Sequence, residues 1–182
     1  MRSGTRLGVD VGKARIGVAR CDPSGLLATP LETVPRAADP EVSGELGATV
    51  PLTDDLRRIL ELVDEYSAFE VVVGLPLGMS GHRTPSTEDA EAFARRLAAA
   101  TASRTAGDRA AVAVRLVDER LSTVSAQGQL RQAGRKTKQT RHIIDQAAAV
   151  VILQHALDAE RARGDAPGTV VWLAEPENGD TV

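Results

Sequence analysis

Apolar and small or polar side chains alternate through Leu7-Gly8-Val9-Asp10-Val11, stop at Gly12, and alternate again through Ile16-Gly17-Val18-Ala19. That pattern predicts two strands joined by a tight hairpin over Lys13-Ala14-Arg15. Asp22-Pro23-Ser24-Gly25 is turn chemistry, and the apolar, Thr-containing stretch from Leu26 to Val34 reads as a third strand. Residues 35–51 hold three prolines, two glycines and several acids without a period, which predicts an exposed loop.

The period then changes. Thr53-Asp54-Asp55 supplies an N-cap with acids in the first turn, and Leu56, Ile59, Leu60, Val63 and Tyr66 follow at helical spacing, predicting a helix over 54–66. Phe69 to Val73 is a short apolar run ended by Gly74-Leu75-Pro76, as a strand buried on both faces requires. Leu77 to Pro85 reads as a mobile loop, in which Gly78, Ser80 and Gly81 suit either ordering on a substrate or an inert surface turn. Ser86 opens a helix to about Ala102, Val112 to Val117 is the next strand, Ser122 caps a helix to about Gln132, and 143–159 is a strongly periodic last helix. Gly134 to Thr140 is the basic connection before that helix, and after Arg163 only Val170 to Leu173 has an ordered pattern. Strands separated by helices pair in parallel through right-handed crossovers. The class is therefore α/β: a three-strand antiparallel meander plus parallel strands in one mixed sheet, with helices on both faces.

At 182 residues, 42% hydrophobic and 26% charged, the chain suits one packed domain, placed at 1–160 with a poorly ordered tail at 161–182. Twenty-two Lys plus Arg against 25 Asp plus Glu give a net charge of −3, which excludes coating nucleic acid by bulk electrostatics, so any polyanion site is local. Tyr66, Phe69, Phe93 and Trp172 are the only aromatics, too few for a stacking platform. The single cysteine, Cys21, excludes an internal disulfide and a Cys-rich zinc cage; its simplest reading is a small, partly buried residue. No apolar run approaches a membrane span or a signal core, so a cytoplasmic protein with no membrane partner is expected.

Three acids stand out by position. Asp10 is isolated on an otherwise apolar strand, where a carboxylate costs several kcal/mol unless hydrogen-bonded, paired or bound to a cation. Capping of the turn at Gly12 is the plainer alternative. Asp118-Glu119 closes another strand, at the end where α/β sheets build sites, or forms a surface pair with Arg120. Asp145 opens the last helix, with Ala148, Ala149 and Ile152 on its face; acids there also compensate the helix dipole. If Asp10, the Asp118-Glu119 pair and Asp145 converge at one sheet end, they form an oxygen-rich pocket suited to Mg²⁺ or Mn²⁺ and poorly suited to Zn²⁺.

The blocks Gly8 to Ala19, Val73-Gly74-Leu75-Pro76-Leu77, Asp118-Glu119-Arg120-Leu121-Ser122-Thr123, and Ile144 to Ala148 through Ile152-Leu153-Gln154 occur in the order of the YqgF/RuvX family, which the chain resembles over about residues 5–158. That family comprises Holliday-junction resolvase-like proteins implicated in maturing the 5′ end of 16S ribosomal RNA. The resemblance implies a ribonuclease H-like fold and a metal-dependent nuclease, most simply one acting on pre-16S rRNA, with branched DNA as the alternative substrate and ribosome precursors as partners. It places the catalytic and metal-binding acids on Asp10, Glu119 and Asp145, with Asp118 as a reserve ligand or hydrogen-bonding neighbour. Ser122 stands where the family commonly has threonine, and the 35–51 loop and the tail lie outside the shared pattern.

Basic residues flank these acids. Lys13 and Arg15 lie in the first hairpin turn, and Arg120 follows the acid pair. Arg131, Arg135, Lys136, Lys138 and Arg141 run beside the helix carrying Asp145. Lys13, Arg15, Arg120, Arg135, Lys136, Lys138 and Arg141 are the expected phosphate contacts; a merely solvated face is the alternative. His142, three residues before Asp145, is a candidate for proton transfer or a plain surface residue. Two other functions compete. Asp10-Val11-Gly12 also resembles the first phosphate loop of sugar-kinase and actin-like ATPases, but those need two such domains, and the length disfavours them. A non-catalytic nucleic-acid or ribosome-binding module would have no need of all three acids. The pattern leaves monomer and homodimer open.

Overall fold

A computed structural model describes residues 2–38, 52–104, 112–121 and 138–171. The meander is formed by β1 (Arg6–Val11), β2 (Arg15–Cys21) and β3 (Ala28–Pro35). There follow α1 (Asp54–Glu65), β4 (Glu70–Leu75), α2 (Pro85–Ser103), β5 (Ala113–Asp118), a single 3-10 turn at Glu119–Leu121, α3 (Lys138–Arg163) and β6 (Thr169–Val170). The six strands lie in the order β3-β2-β1-β4-β5-β6. β1 pairs antiparallel with β2 and parallel with β4, and β4 pairs parallel with β5. This is the mixed sheet of the ribonuclease H-like architecture.

Alternation along the strands builds two cores. Leu7, Val9, Val71 and Val73 face α1 and α2, where Leu56, Ile59, Phe93 and Leu97 are fully buried against them. Ala19, Cys21, Val72 and Val117 face the other way, onto Ala149, Ile152, Leu153, Ala156 and Leu157 of α3. The helices thus cover both faces, as the alternating strands require. Cys21 is buried rather than partly buried, and its Sγ accepts the Arg6 amide at 3.2 Å.

Some boundaries differ from the sequence pattern. α3 begins at Lys138, inside the stretch expected to connect, and runs to Arg163. Thr169–Val170 adds a sixth strand antiparallel to β5, so ordered structure extends past residue 160 into the expected tail. The expected helix over 122–132 and residues 39–51 of the expected loop lie outside the described residues. No described helix is long and apolar enough to cross a membrane.

The amino-terminal ends of β1 and β4 carry a buried ion network that pattern reading missed. Arg6, Glu70 and Glu160 are each 1% exposed or less. Glu70 accepts from Arg2 (2.9 Å), Arg6 (3.1 Å) and Arg115 (2.7 Å), while Glu160, near the end of α3, accepts from Arg2 (2.9 Å) and Arg6 (3.0 Å). Arg6 also lies over the Phe69 ring at 4.6 Å. The network fastens one end of α3 to the sheet, so its other end is set by a fixed crossing.

Candidate active site

Three glycine positions show where that other end lands. A Cβ on Gly8 of β1 would stand 2.6 Å from Leu153 Cβ and 2.9 Å from the Ala149 carbonyl of α3. The α3 face of β1 is therefore the Gly8 face, and Asp10, two residues on, shares it. Gly17 is the direct partner of Asp10 across the hairpin. A Cβ there would fall inside the Asp145 backbone carbonyl, so α3 brings Asp145 down onto β2 beside Asp10 because Gly17 has no side chain. On the opposite side of β1, Gly74 lies one residue beyond the Val9–Val73 pair. A Cβ on Gly74 would sit 2.5 Å from Glu119 Oε1 and 2.5 Å from Ile152 Cδ1.

Asp10 thus stands between two side-chain-free positions, Gly17 carrying Asp145 and Gly74 carrying Glu119, all on the α3 face at one end of the sheet. Asp10, Glu119 and Asp145 are each partly exposed. They share a face without closing into a cluster: among the described residues, no three His, Cys, Asp or Glu side chains are gathered tightly enough to hold an ion. The Asp145 carboxylate turns to Arg15, whose Nε donates to Oδ2 at 2.8 Å. Gly17 and Gly74 are the site positions that sequence reading missed; both lie in the quoted blocks, and a glycine inside a strand is the signal that another group comes close.

Asp118 goes elsewhere. Arg120 closes on it, with Nη2 to Oδ2 at 2.7 Å and the Arg120 amide to Oδ1 at 2.9 Å. The Arg120 hydrogen bond holds the Asp118 carboxyl below its usual range. The surface acid–arginine pair is the arrangement present, with Asp118 as the hydrogen-bonding neighbour of Arg120. Arg120 is correspondingly committed to Asp118, with Nη1 set 2.8 Å from where a Gly81 Cβ would be.

Of the other expected phosphate contacts, Lys13 is exposed at the hairpin turn. It lines an open cleft of about 600 Å³ with Arg36, Ser86, Glu88 and Asp89. Arg36 pairs there with Asp89 at 2.7 Å, so the cleft has mixed charge. Lys138, Arg141 and His142 belong to α3 by backbone alone, and Arg131, Arg135 and Lys136 lie outside the described residues. The 77–84 loop is braced, contrary to a segment waiting for substrate: Gly78 N–H donates to the His82 carbonyl at 3.0 Å and Gly81 N–H to the Gly78 carbonyl at 2.7 Å.

The family model for RuvX, described as Holliday junction resolvase, matches residues 4–159. The chain belongs to the RuvX family. Membership makes it an enzyme of the nuclease class and agrees with the four sequence blocks. A Clavibacter sepedonicus relative carrying the name "Putative pre-16S rRNA nuclease" is 58% identical over 171 residues, covering 94% of this chain and 93% of its own. Relatives of the same name from Leifsonia xyli subsp. xyli and Streptomyces avermitilis are each 50% identical over 168 residues, covering 92% of this chain and 94% of their own. Among solved structures, RuvC of T. thermophilus in complex with Holliday junction substrate is similar at 16% identity and a TM-score of 0.48, covering 90% of this chain and 99% of that one.

A prediction follows from Gly17. In Gly17→Ala the new methyl meets backbone on the helix side, which cannot rotate away, so α3 must shift. Expected are a loss of about 1–3 kcal/mol in urea unfolding and about a hundredfold in cleavage through the displaced Asp145. Unchanged values in both would show that α3 does not rest on this residue.

Proposed function

We propose that this RuvX-family nuclease is a metal-dependent phosphodiester hydrolase that processes the 5′ end of pre-16S rRNA, working in the cytoplasm on ribosome precursors. The observation that carries the reading is Asp10 flanked by Gly17 and Gly74, which seat Asp145 and Glu119 over the same face of the sheet. The names of the relatives support the substrate. The family description supports the second reading, cleavage of branched DNA.

The donor set fits a hard divalent ion: three carboxylates, all oxygen, on a face cleared of bulk by two glycines. Asp10, Glu119 and Asp145 would hold Mg²⁺ or Mn²⁺, which when bound supplies an activated water and stabilises the leaving oxygen of a phosphodiester. The remaining work belongs to the chain. Lys13, exposed on the turn next to Asp10, meets a phosphate of the bound strand. Arg15 pairs with Asp145 in the free protein, and a substrate phosphate competes for the same guanidinium, releasing the carboxylate. Arg135, Lys136, Lys138 and Arg141 extend the phosphate track, and His142, one turn before Asp145 on α3, serves proton transfer. Either a monomer or a homodimer accommodates cleavage of one strand; a symmetrical junction needs the dimer.

The test compares purified protein on precursor 16S RNA and on a four-way DNA junction, each with Mg²⁺, Mn²⁺ and EDTA. EDTA-sensitive shortening of the RNA 5′ extension is the expected result. Cleavage of the junction alone would transfer the substrate to branched DNA, and EDTA-resistant cleavage or none would overturn the reading.

A further inference from the structure

Met79 is 100% exposed, against 44–61% for the other exposed large apolar side chains among the described residues, Leu26, Leu27 and Leu52. Single exposed apolar residues are ordinary on a protein surface. What sets Met79 apart is the backbone beneath it. The Gly81-to-Gly78 hydrogen bond makes a β-turn with Met79 at its first corner. Gly81 takes the left-handed conformation (φ 83°), which favours glycine. Ser80 Oγ meets His82 Nδ1 at 2.8 Å, and the His82 ring lies against Gly78, where a side chain would collide with it.

Both ends of the loop are also tied. Thr87, in the first turn of α2, donates its hydroxyl to the Pro76 carbonyl, and Thr84 caps the same helix in a reciprocal pair with Thr87. The corner is held firmly and still presents its largest apolar group wholly to solvent. It stands beside the acids: the loop leaves β4 just past Gly74, over which Glu119 lies, and the Arg120 guanidinium rests against Gly81.

We infer that Met79 is a wedge that inserts against an unstacked base of the nucleic acid whose backbone lies over Asp10, Glu119 and Asp145. A thioether on an unbranched, polarisable chain suits the face of a base. Methionine also belongs to the apolar side chains that proteins drive between base steps. The braced turn supplies the stiffness a wedge needs, since a floppy loop would lose the contact to its own disorder. The occupant is a nucleobase that leaves its stack at low cost, one that is unpaired or beside a strand junction. Met79 therefore favours substrates with such a nucleotide next to the cleaved bond over continuous duplex. This rests on the nuclease reading and adds the substrate feature selected.

The test places 2-aminopurine at an unpaired nucleotide next to the cleavage site of a precursor RNA stem and compares wild type, Met79→Ala and Met79→Phe, with a fully paired stem as control. Binding is followed by fluorescence in the Asp10→Asn background, cleavage in the Asp10 protein. Expected for Met79→Ala are an unchanged melting temperature, loss of the rise in 2-aminopurine emission, and a fall of about tenfold in kcat/KM on the unpaired substrate only. Met79→Phe restores both. A wild type that cleaves while Met79→Ala matches it in emission and rate would overturn the wedge alone. A wild type that cleaves neither stem with Mg²⁺ or Mn²⁺ would overturn the nuclease reading and the wedge with it.

Discussion

Asp10→Asn is expected to lower cleavage at least about a thousandfold and to leave the melting temperature unchanged or higher. Asparagine keeps the shape of the side chain between Gly17 and Gly74 but removes the charge proposed to hold a cation. Losing ion-assisted stabilisation of several kcal/mol corresponds to three or more powers of ten in rate. Asp10 lies at the open end of β1, partly exposed, away from the buried ion network. Asparagine adds no charge to a face that already carries Glu119 and Asp145, so stability is expected to hold or rise. Single-turnover cleavage with Mg²⁺ or Mn²⁺ and a thermal melt without metal check the two halves. A melt lowered by 1 kcal/mol or more with cleavage retained would make Asp10 a structural residue.

The opposite end of the sheet gives the second large effect, of the opposite kind. Glu70→Gln is expected to cost about 3–5 kcal/mol of stability, because it leaves Arg6, 1% exposed, beside a neutral group where it had a carboxylate at 3.1 Å. Against a total of about 5–15 kcal/mol for a domain, that is a large fraction. Urea unfolding followed by circular dichroism measures it, and a change under 1 kcal/mol would show that Arg2, Arg6 and Arg115 do not depend on Glu70.

The same network sets an acid limit. Burial by itself pushes the Glu160 carboxyl up, but hydrogen bonds from Arg2 and the charges of Arg6 and Arg2 outweigh it and hold the group below its usual value. A carboxyl lowered on folding contributes stability that is fully present above its unfolded value, about 4.3. That stability is lost as the pH falls through the folded value. Melting temperature is therefore expected to hold from neutral down to about pH 5 and to fall below that. Glu160→Gln should start lower and lose less over the same acid interval; an identical acid slope would remove Glu160 from the explanation.

Local order was legible because it depends on neighbours in the chain. The alternation around Leu7–Val11 and Ile16–Ala19 marks β1 and β2, and the acids at Asp54 and Asp55 with the spacing from Leu56 to Val63 mark α1. The acids on β1, after β5 and on α3 were visible as exceptions to an apolar pattern. The start of α3 at Lys138 was not, because polar first turns of a helix carry no apolar period.

The sequence by itself determined the α/β class, the meander, the crossover order and the family blocks, and it marked the acids on β1, after β5 and on α3 as candidates. Only the tertiary structure decided that Gly17 and Gly74 are the seats beside Asp10, that Asp145 turns to Arg15 and Asp118 to Arg120, and that Arg2 reaches Glu160 across 158 residues of chain. Periodicity records which way a residue faces. Which residue it meets depends on strand register and on where a helix crosses the sheet, and those are set by contacts among segments far apart in sequence.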